Sequence, residues 1–183
     1  METIKNITQV NFIKICFIIF LSSILLAISS KIKIPFYPVP MTMQTFVVLI
    51  LGISLGWKIG LSAVFIYLLE GIFGLPVFSG TPEKGLGITY FTGPTMGYLI
   101  GFMVTVFIAG KFKYSNSFFF NFLKLIFATS FIYILGIFWL GSLIGWEKPI
   151  FDLGVKPFLL AELFKILLAT LILPKILKIR DFT

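Results

Sequence analysis

Histidine is missing from the chain altogether, and cysteine occurs once, as Cys16. The first absence removes the commonest proton shuttle and metal ligand. The second excludes an internal disulfide, and Cys16 sits inside an apolar run, where it reads as packing. Charge is scarce: only 12% of the residues are Asp, Glu, Lys or Arg, against roughly 25% in an average globular domain. Acidic residues are the scarcest, 7 against 15 basic ones. No G-x-x-x-x-G-K-[ST] phosphate loop occurs. The segment Gly80-Thr-Pro-Glu-Lys-Gly-Leu-Gly87 does not match it, so the chain carries no visible means of hydrolysing ATP. H-E-x-x-H, C-x-x-C and Ser/His pairings are also missing. The reading is of a protein that is not an enzyme and has no cofactor.

What the chain has in quantity is apolar surface. Hydrophobic residues make up 58% of it and the mean hydropathy is +1.07. The few charges cannot coat a water-exposed surface, so lipid must be the solvent for much of the chain. A spanning helix takes roughly 20 apolar residues. A length of 183 residues therefore limits the count to about six spans with short connections, in one all-α transmembrane domain covering 1–183. The net charge of +8 does not point to nucleic acid. The lysines are spread out and fall mostly between apolar runs, as topology signals and lipid-headgroup contacts do.

The spans are expected at about 10–30, 42–55, 59–73, 93–109, 118–140 and 157–173. The first lacks a small-x-small cleavage site before Lys31 and is read as a retained span, not a signal peptide. Three prolines in 31–40 make that connection an extended, stiff loop. The second span is short for a full crossing, and Gly56-Trp57-Lys58 turns the chain into the third. The Gly- and Pro-rich stretch 75–92 is long for a connection, and long connections are usually functional or disordered. Its apolar residues predict a loop folded against the protein. Placing both termini inside puts Lys5, Lys58, Lys111, Lys113, Lys175, Lys178 and Arg180 on the cytoplasmic side. Lys31, Lys33, Lys84, Lys148 and Lys156 are then outside, a bias that favours this orientation.

Glu162 and Lys165 are the charges that most need an explanation. Three residues apart, they share a helix face. Lys165 lies on the order of 12 Å below the outer end of the sixth span. Charges at such depth are costly and usually face a cavity or a partner; a structural ion pair with Lys165 snorkelling outward is the alternative. Lys14, Lys124 and Glu70 lie near span ends and read as structural, able to snorkel. Gly93, Gly97, Gly101, Thr105 and Ala109 form a small-residue stripe suited to close helix packing or to a flat ligand at its glycine end. Ser23 and Ala27 make a shorter one on the first span, for another helix of this chain or another subunit.

Four segments in order, Pro38-Val-Pro-Met-Thr-Met-Gln-Thr45, Gly74-Leu-Pro-Val-Phe78, Gly93-Pro-Thr-Met-Gly-Tyr-Leu-Ile-Gly-Phe102 and Gly154-Val-Lys-Pro-Phe-Leu-Leu-Ala-Glu-Leu-Phe-Lys165, resemble the signatures of the BioY family. These are the biotin-specific substrate-binding (S) components of energy-coupling-factor (ECF) transporters. The resemblance covers about 12–173. It implies six membrane helices, both ends cytoplasmic, in the bacterial cytoplasmic membrane. It also implies one biotin held near the outer face, and a transmembrane coupling (T) subunit and two ATPase subunits as partners. The family usually has Asp where this chain has Glu162, followed by Lys as at Lys165, so the carboxylate here reaches about one methylene further. On this reading Glu162 accepts from the ureido N–H groups. Lys165 donates to the ureido carbonyl or pairs with the valerate carboxylate. Ser79 and Gln44 add polar contacts, and Tyr90, Tyr98 and Phe36 supply walls. The face of Ser23 and Ala27 is a candidate docking surface. An S component for another vitamin, an intramembrane enzyme using Glu162 and Lys165 as acid and base, and a ligand-free structural subunit remain alternatives.

Overall fold

The structure, a computed structural model, describes residues 2–180, with the backbone alone for 2–11 and 179. Lys5, one of the residues used for orientation, has a side chain outside that description. Seven α-helices account for most of the chain: α1 (Glu2–Lys31), α2 (Gln44–Ile72), α3 (Ile88–Phe91), α4 (Met96–Lys111), α5 (Phe118–Ile144), α6 (Ile150–Gly154) and α7 (Leu159–Arg180). A 3-10 turn, Lys156–Phe158, joins α6 to α7. Among the described residues, four stretches are long and apolar enough to cross a membrane: Phe12–Lys31, Gln44–Ile72, Phe118–Ile144 and Ile150–Lys178. Met96–Lys111 is a shorter apolar helix. The protein is all-helical and multi-pass.

α2 is not one rod. Gly56 has φ 71 and ψ 175, a backbone conformation that costs a residue with a Cβ and is open to glycine. The chain folds back there. Gln44 Nε2 donates to Tyr67 Oη at 2.6 Å, although 23 residues of straight helix would separate them by about 35 Å. The Gly56 turn predicted from sequence is therefore present. The segment before it, 44–55, is only about 18 Å long at 1.5 Å per residue.

α2 is the centre of the bundle. Its apolar window is 61% buried inside the protein, against 22% for α1, and it packs on α1, α4 and α7. Val48, Val64 and Tyr67 of α2 join Leu26, Phe102, Val106 and Ile132 in one core. Leu49 and Ile53, on the other side, join Leu125, Ala128, Ile166 and Leu173 in a second. The small-residue stripe serves packing. A Cβ on Gly97 or Gly101 would collide with the backbone of α5 at Leu135 and at Ile132, and Thr105 Oγ1 donates across the same seam to Ala128 O at 2.8 Å. In lipid such close approach is a main source of helix association.

The small face of α1 is also used within the chain. Ser23 is fully buried and donates to Glu70 Oε1 of α2 at 2.8 Å, and Ala27 packs on the first core. That face is not available as the docking surface expected from sequence. The same bond gives Glu70 the structural role expected of it. Lys124 Nζ donates to Lys113 O at 2.6 Å and ties α5 to the loop before it.

The two outer connections fold onto the same end of the bundle. In the Pro-rich one, β1 (Lys33–Ile34) pairs antiparallel with β2 (Met41–Thr42), Lys33 opposite Thr42. The 75–92 connection lies against the protein, as its apolar residues predicted. Phe78 is 1% exposed. It stacks on Tyr90 at 4.7 Å and meets Tyr67 edge-on at 5.2 Å. Ser30 Oγ and Tyr67 Oη both donate to Val77 O, at 2.7 and 3.1 Å. Lys31 Nζ donates to Phe78 O at 2.9 Å and to Thr81 Oγ1 at 3.1 Å.

Candidate functional site

A cavity lies under these two connections, between the starts of α2, α4 and α7 and the middle of α5. Val39, Met41, Thr42, Gln44, Thr45, Phe78, Ser79, Tyr90, Thr95, Tyr98, Phe102, Ile132, Tyr133, Phe158, Glu162 and Lys165 are among its walls. The six residues singled out from sequence, Glu162, Lys165, Ser79, Gln44, Tyr90 and Tyr98, all line it. Phe36 does not; it is 39% exposed and packs edge-on against Phe158 from outside. Phe158 is the wall at that point.

The acid and the amine are buried, Glu162 at 4% and Lys165 at 6% exposure. Lys165 does not snorkel. Its ammonium has three donors, and they go to Thr42 O at 2.8 Å, Thr45 Oγ1 at 2.8 Å and Glu162 Oε2 at 3.1 Å. The local cause is legible. The ribbon of β1 and β2 brings the Thr42 carbonyl over α7, and Thr45 sits in the first turn of α2. Thr45 Oγ1 in turn donates a hydrogen bond to Glu162 Oε2 at 3.0 Å, and Tyr133 Oη of α5 donates to that oxygen at 2.9 Å.

Glu162 is thus asymmetric. Oε2 takes three donors, while Oε1 is buried with no hydrogen-bond partner among the described residues. Ser79 Oγ has the same status. A buried acceptor and a buried hydroxyl left unsatisfied each cost about 1–3 kcal/mol. Two such residues lining one cavity fit a ligand that offers both a donor and an acceptor.

The other polar groups hold the walls. Gln44 is held between Tyr67 Oη and Thr42 Oγ1, at 2.6 and 3.2 Å. Tyr90 Oη donates to Ser79 O at 2.8 Å and fixes the connection that carries Ser79. Burial pushes the Tyr90 phenol above its ordinary range, which keeps it a donor. Tyr98 Oη donates to Gly154 O at 2.8 Å and pins α6 to α4.

The cavity is narrow. It measures about 50 Å³, where one water needs about 10–15 Å³ by the same measure. An elongated ligand therefore enters only if the 75–92 connection or wall side chains move.

Sequence reasoning missed Thr45 and Tyr133 as site residues. Thr45 closes the first motif, but nothing local says that it meets position 162. Tyr133 had a weak signal, a phenol at mid-span among apolar residues, where a hydroxyl needs a partner.

A family model described as the BioY family matches residues 3–182. The chain belongs to the BioY family. Two relatives agree over most of their lengths. The probable biotin transporter BioY of Pyrococcus horikoshii is 36% identical over 152 residues, covering 81% of this chain and 86% of the relative. The biotin transporter BioY of Thermotoga maritima is 35% identical over 156 residues, 85% of this chain and 90% of the relative. Among solved structures, the S-component for biotin from an ECF-type ABC transporter superposes with a TM-score of 0.75. It shares 25% identity, over 92% of this chain and 93% of that one. This BioY chain shares the fold of that S-component along nearly all of its length.

Proposed function

We propose that this chain is a biotin-uptake component, a transporter and not an enzyme, which takes biotin into the cavity beneath its outer connections. It crosses the bacterial cytoplasmic membrane six times, the two halves of α2 each counting as one, with both termini in the cytoplasm. A T subunit and two ATPase subunits energise release. Family membership, the transporter names of the relatives and the S-component fold support this reading.

The observation that carries the ligand assignment is the half-satisfied carboxylate. Biotin ends in a flat cyclic urea with two N–H donors and one carbonyl. Glu162 Oε1 is a buried acceptor without a donor, and it takes one ureido N–H. A charge-assisted bond of this kind is roughly twice as strong as a neutral one. This reading gives Lys165 a supporting role. All three of its protons are committed, so it charge-balances Glu162 and orients Thr45. Ser79 Oγ becomes the donor to the ureido carbonyl. Phe78, Phe158, Tyr90 and Tyr98 enclose the apolar remainder, in keeping with the mostly apolar lining of small-molecule sites.

The test is calorimetric titration of the purified chain with biotin and with unrelated vitamins. Biotin alone should bind, be recovered unaltered, and lose measurable binding in the Glu162→Ala/Lys165→Ala double variant. Tighter binding of another vitamin, or unchanged biotin affinity in the variant, would falsify the assignment.

A further inference from the structure

The walls of the cavity leave few polar atoms for a ligand. A phenol or an aliphatic hydroxyl has one proton to donate. Tyr90, Tyr98 and Tyr133 spend theirs on Ser79 O, Gly154 O and Glu162 Oε2. Thr45 Oγ1 donates to Glu162 Oε2 and Thr42 Oγ1 to Gln44 Oε1. The Thr95 hydroxyl is paired with the Tyr90 phenol. Gln44 Nε2 places one proton on Tyr67 Oη and keeps the other. Among the described residues, the buried side-chain atoms without any partner are Glu162 Oε1 and Ser79 Oγ. They are one acceptor and one hydroxyl, the two kinds of group that a cyclic urea needs.

Charge is scarcer still. Among the described residues that line the cavity, Glu162 and Lys165 alone are charged. They stand 3.1 Å apart and cancel. A second carboxylate brought between these walls meets no free cation. It reaches Lys165 only by displacing Thr42 O, Thr45 Oγ1 or Glu162 itself. A buried charge without a partner costs several kcal/mol. The spare N–H of Gln44 is uncharged and returns about 1 kcal/mol, and the carbonyl of an amide or an ester accepts it as well. Lys31, Lys33 and Lys84, at the same end of the bundle, are exposed, where an ion pair is worth about 0–1 kcal/mol.

We propose that the site selects the cyclic urea of its ligand and does not read the acid at the other end. Its substrates are then a class, the biotinyl compounds, with the valerate carboxylate either free or masked as an amide or an ester. The valerate end lies outside the hydrogen-bonded part of the cavity, with the carboxylate in contact with water. This inference rests on the assignment of Glu162 Oε1 to a ureido N–H. It also excludes the valerate carboxylate as the partner of Lys165.

The experiment is competition against labelled biotin on the purified full chain. The competitors are biotin, its primary amide, biotin methylated on both ureido nitrogens, and valerate alone. The primary amide has the shape of the acid without its charge, so it decides the question. It should match biotin within about fivefold, the most that an exposed ion pair contributes. The methylated ring should bind about tenfold or more weakly, since it has no N–H for Glu162. Valerate should not compete at millimolar concentration. A larger loss for the amide, or competition by valerate, would overturn the proposal while leaving biotin as a ligand. Undiminished binding of the methylated ring would instead overturn the ureido assignment, and this proposal with it.

Discussion

The two ends of the helix bundle carry most of its polar chemistry, and they handle charge in opposite ways. At the cavity end one acid and one amine are buried together, with every proton of Lys165 placed and one oxygen of Glu162 left over. At the opposite, basic end two exposed lysines, Lys58 and Lys111, stand over the Trp57 ring, and Lys111 also over that of Phe107. A buried pair in low dielectric is expensive to break and directional, so it can select a ligand by the geometry of a few hydrogen bonds. Exposed cations are cheap, screened and non-directional, so they suit a surface that meets a layer of charge. The difference in burial, more than the difference in sign, separates a site that can select one molecule from a surface that cannot.

Changes at the cavity end should therefore act strongly and specifically. Lys165→Ala leaves the buried Glu162 carboxylate without its cation. It should cost about 3–5 kcal/mol of stability, read as a lowered midpoint of thermal unfolding in detergent, and should abolish high-affinity biotin binding. A variant as stable as the wild type would remove the contrast with the basic end. Next in size, Ser79→Ala removes a hydroxyl that this structure leaves for the ligand. It should weaken biotin by about 1–3 kcal/mol without lowering the unfolding midpoint, because no bond within the protein is lost and an unsatisfied buried hydroxyl is removed. A stability loss without an affinity change would reassign Ser79 to packing.

The smallest effect is expected at Lys31, which fastens the 75–92 connection through Phe78 O and Thr81 Oγ1. Lys31→Ala should speed biotin release a few-fold, about 0.5–1.5 kcal/mol at most for the lost bonds. The association rate should hold or rise. Stopped-flow rates that do not move would show that this connection is not the lid.

Much of the fold is legible in the residues. The apolar runs locate the long helices, which differ at their ends, while the short α3 and α6 fall in stretches read as connections. α7 continues to Arg180 through Pro174, where a proline suggests a stop, and the last helical turns of α5 reach Ile144. Gly56 marks the fold-back because no neighbouring residue type tolerates its φ. The stripe from Gly97 to Ala109 announces close packing, though not on which helix. Of the site, Glu162 and Lys165 stand out by their cost in lipid, the family motifs contain Gln44 and Tyr98, and Ser79 and Tyr90 enter only by their place in the 75–92 connection. Thr45 and Tyr133 do not stand out. They meet Glu162 across 117 and 29 residues of chain, and no local period encodes that meeting.

The sequence by itself determines that lipid is the solvent, that the chain is helical, that it belongs among biotin transporters of one family, and that an acid and an amine share a face of the last span. Those properties follow from composition, short-range periodicity and motif, all of which are local. Tertiary structure alone decides that Lys165 turns inward to Thr42 and Thr45 instead of reaching for the surface, and that Phe158 replaces Phe36 in the wall. It also decides that the small face of α1 is covered by α2, and that one carboxylate oxygen is saturated while the other is not. These are outcomes of how helices cross and in what rotation, and both are set by packing between segments far apart in the chain.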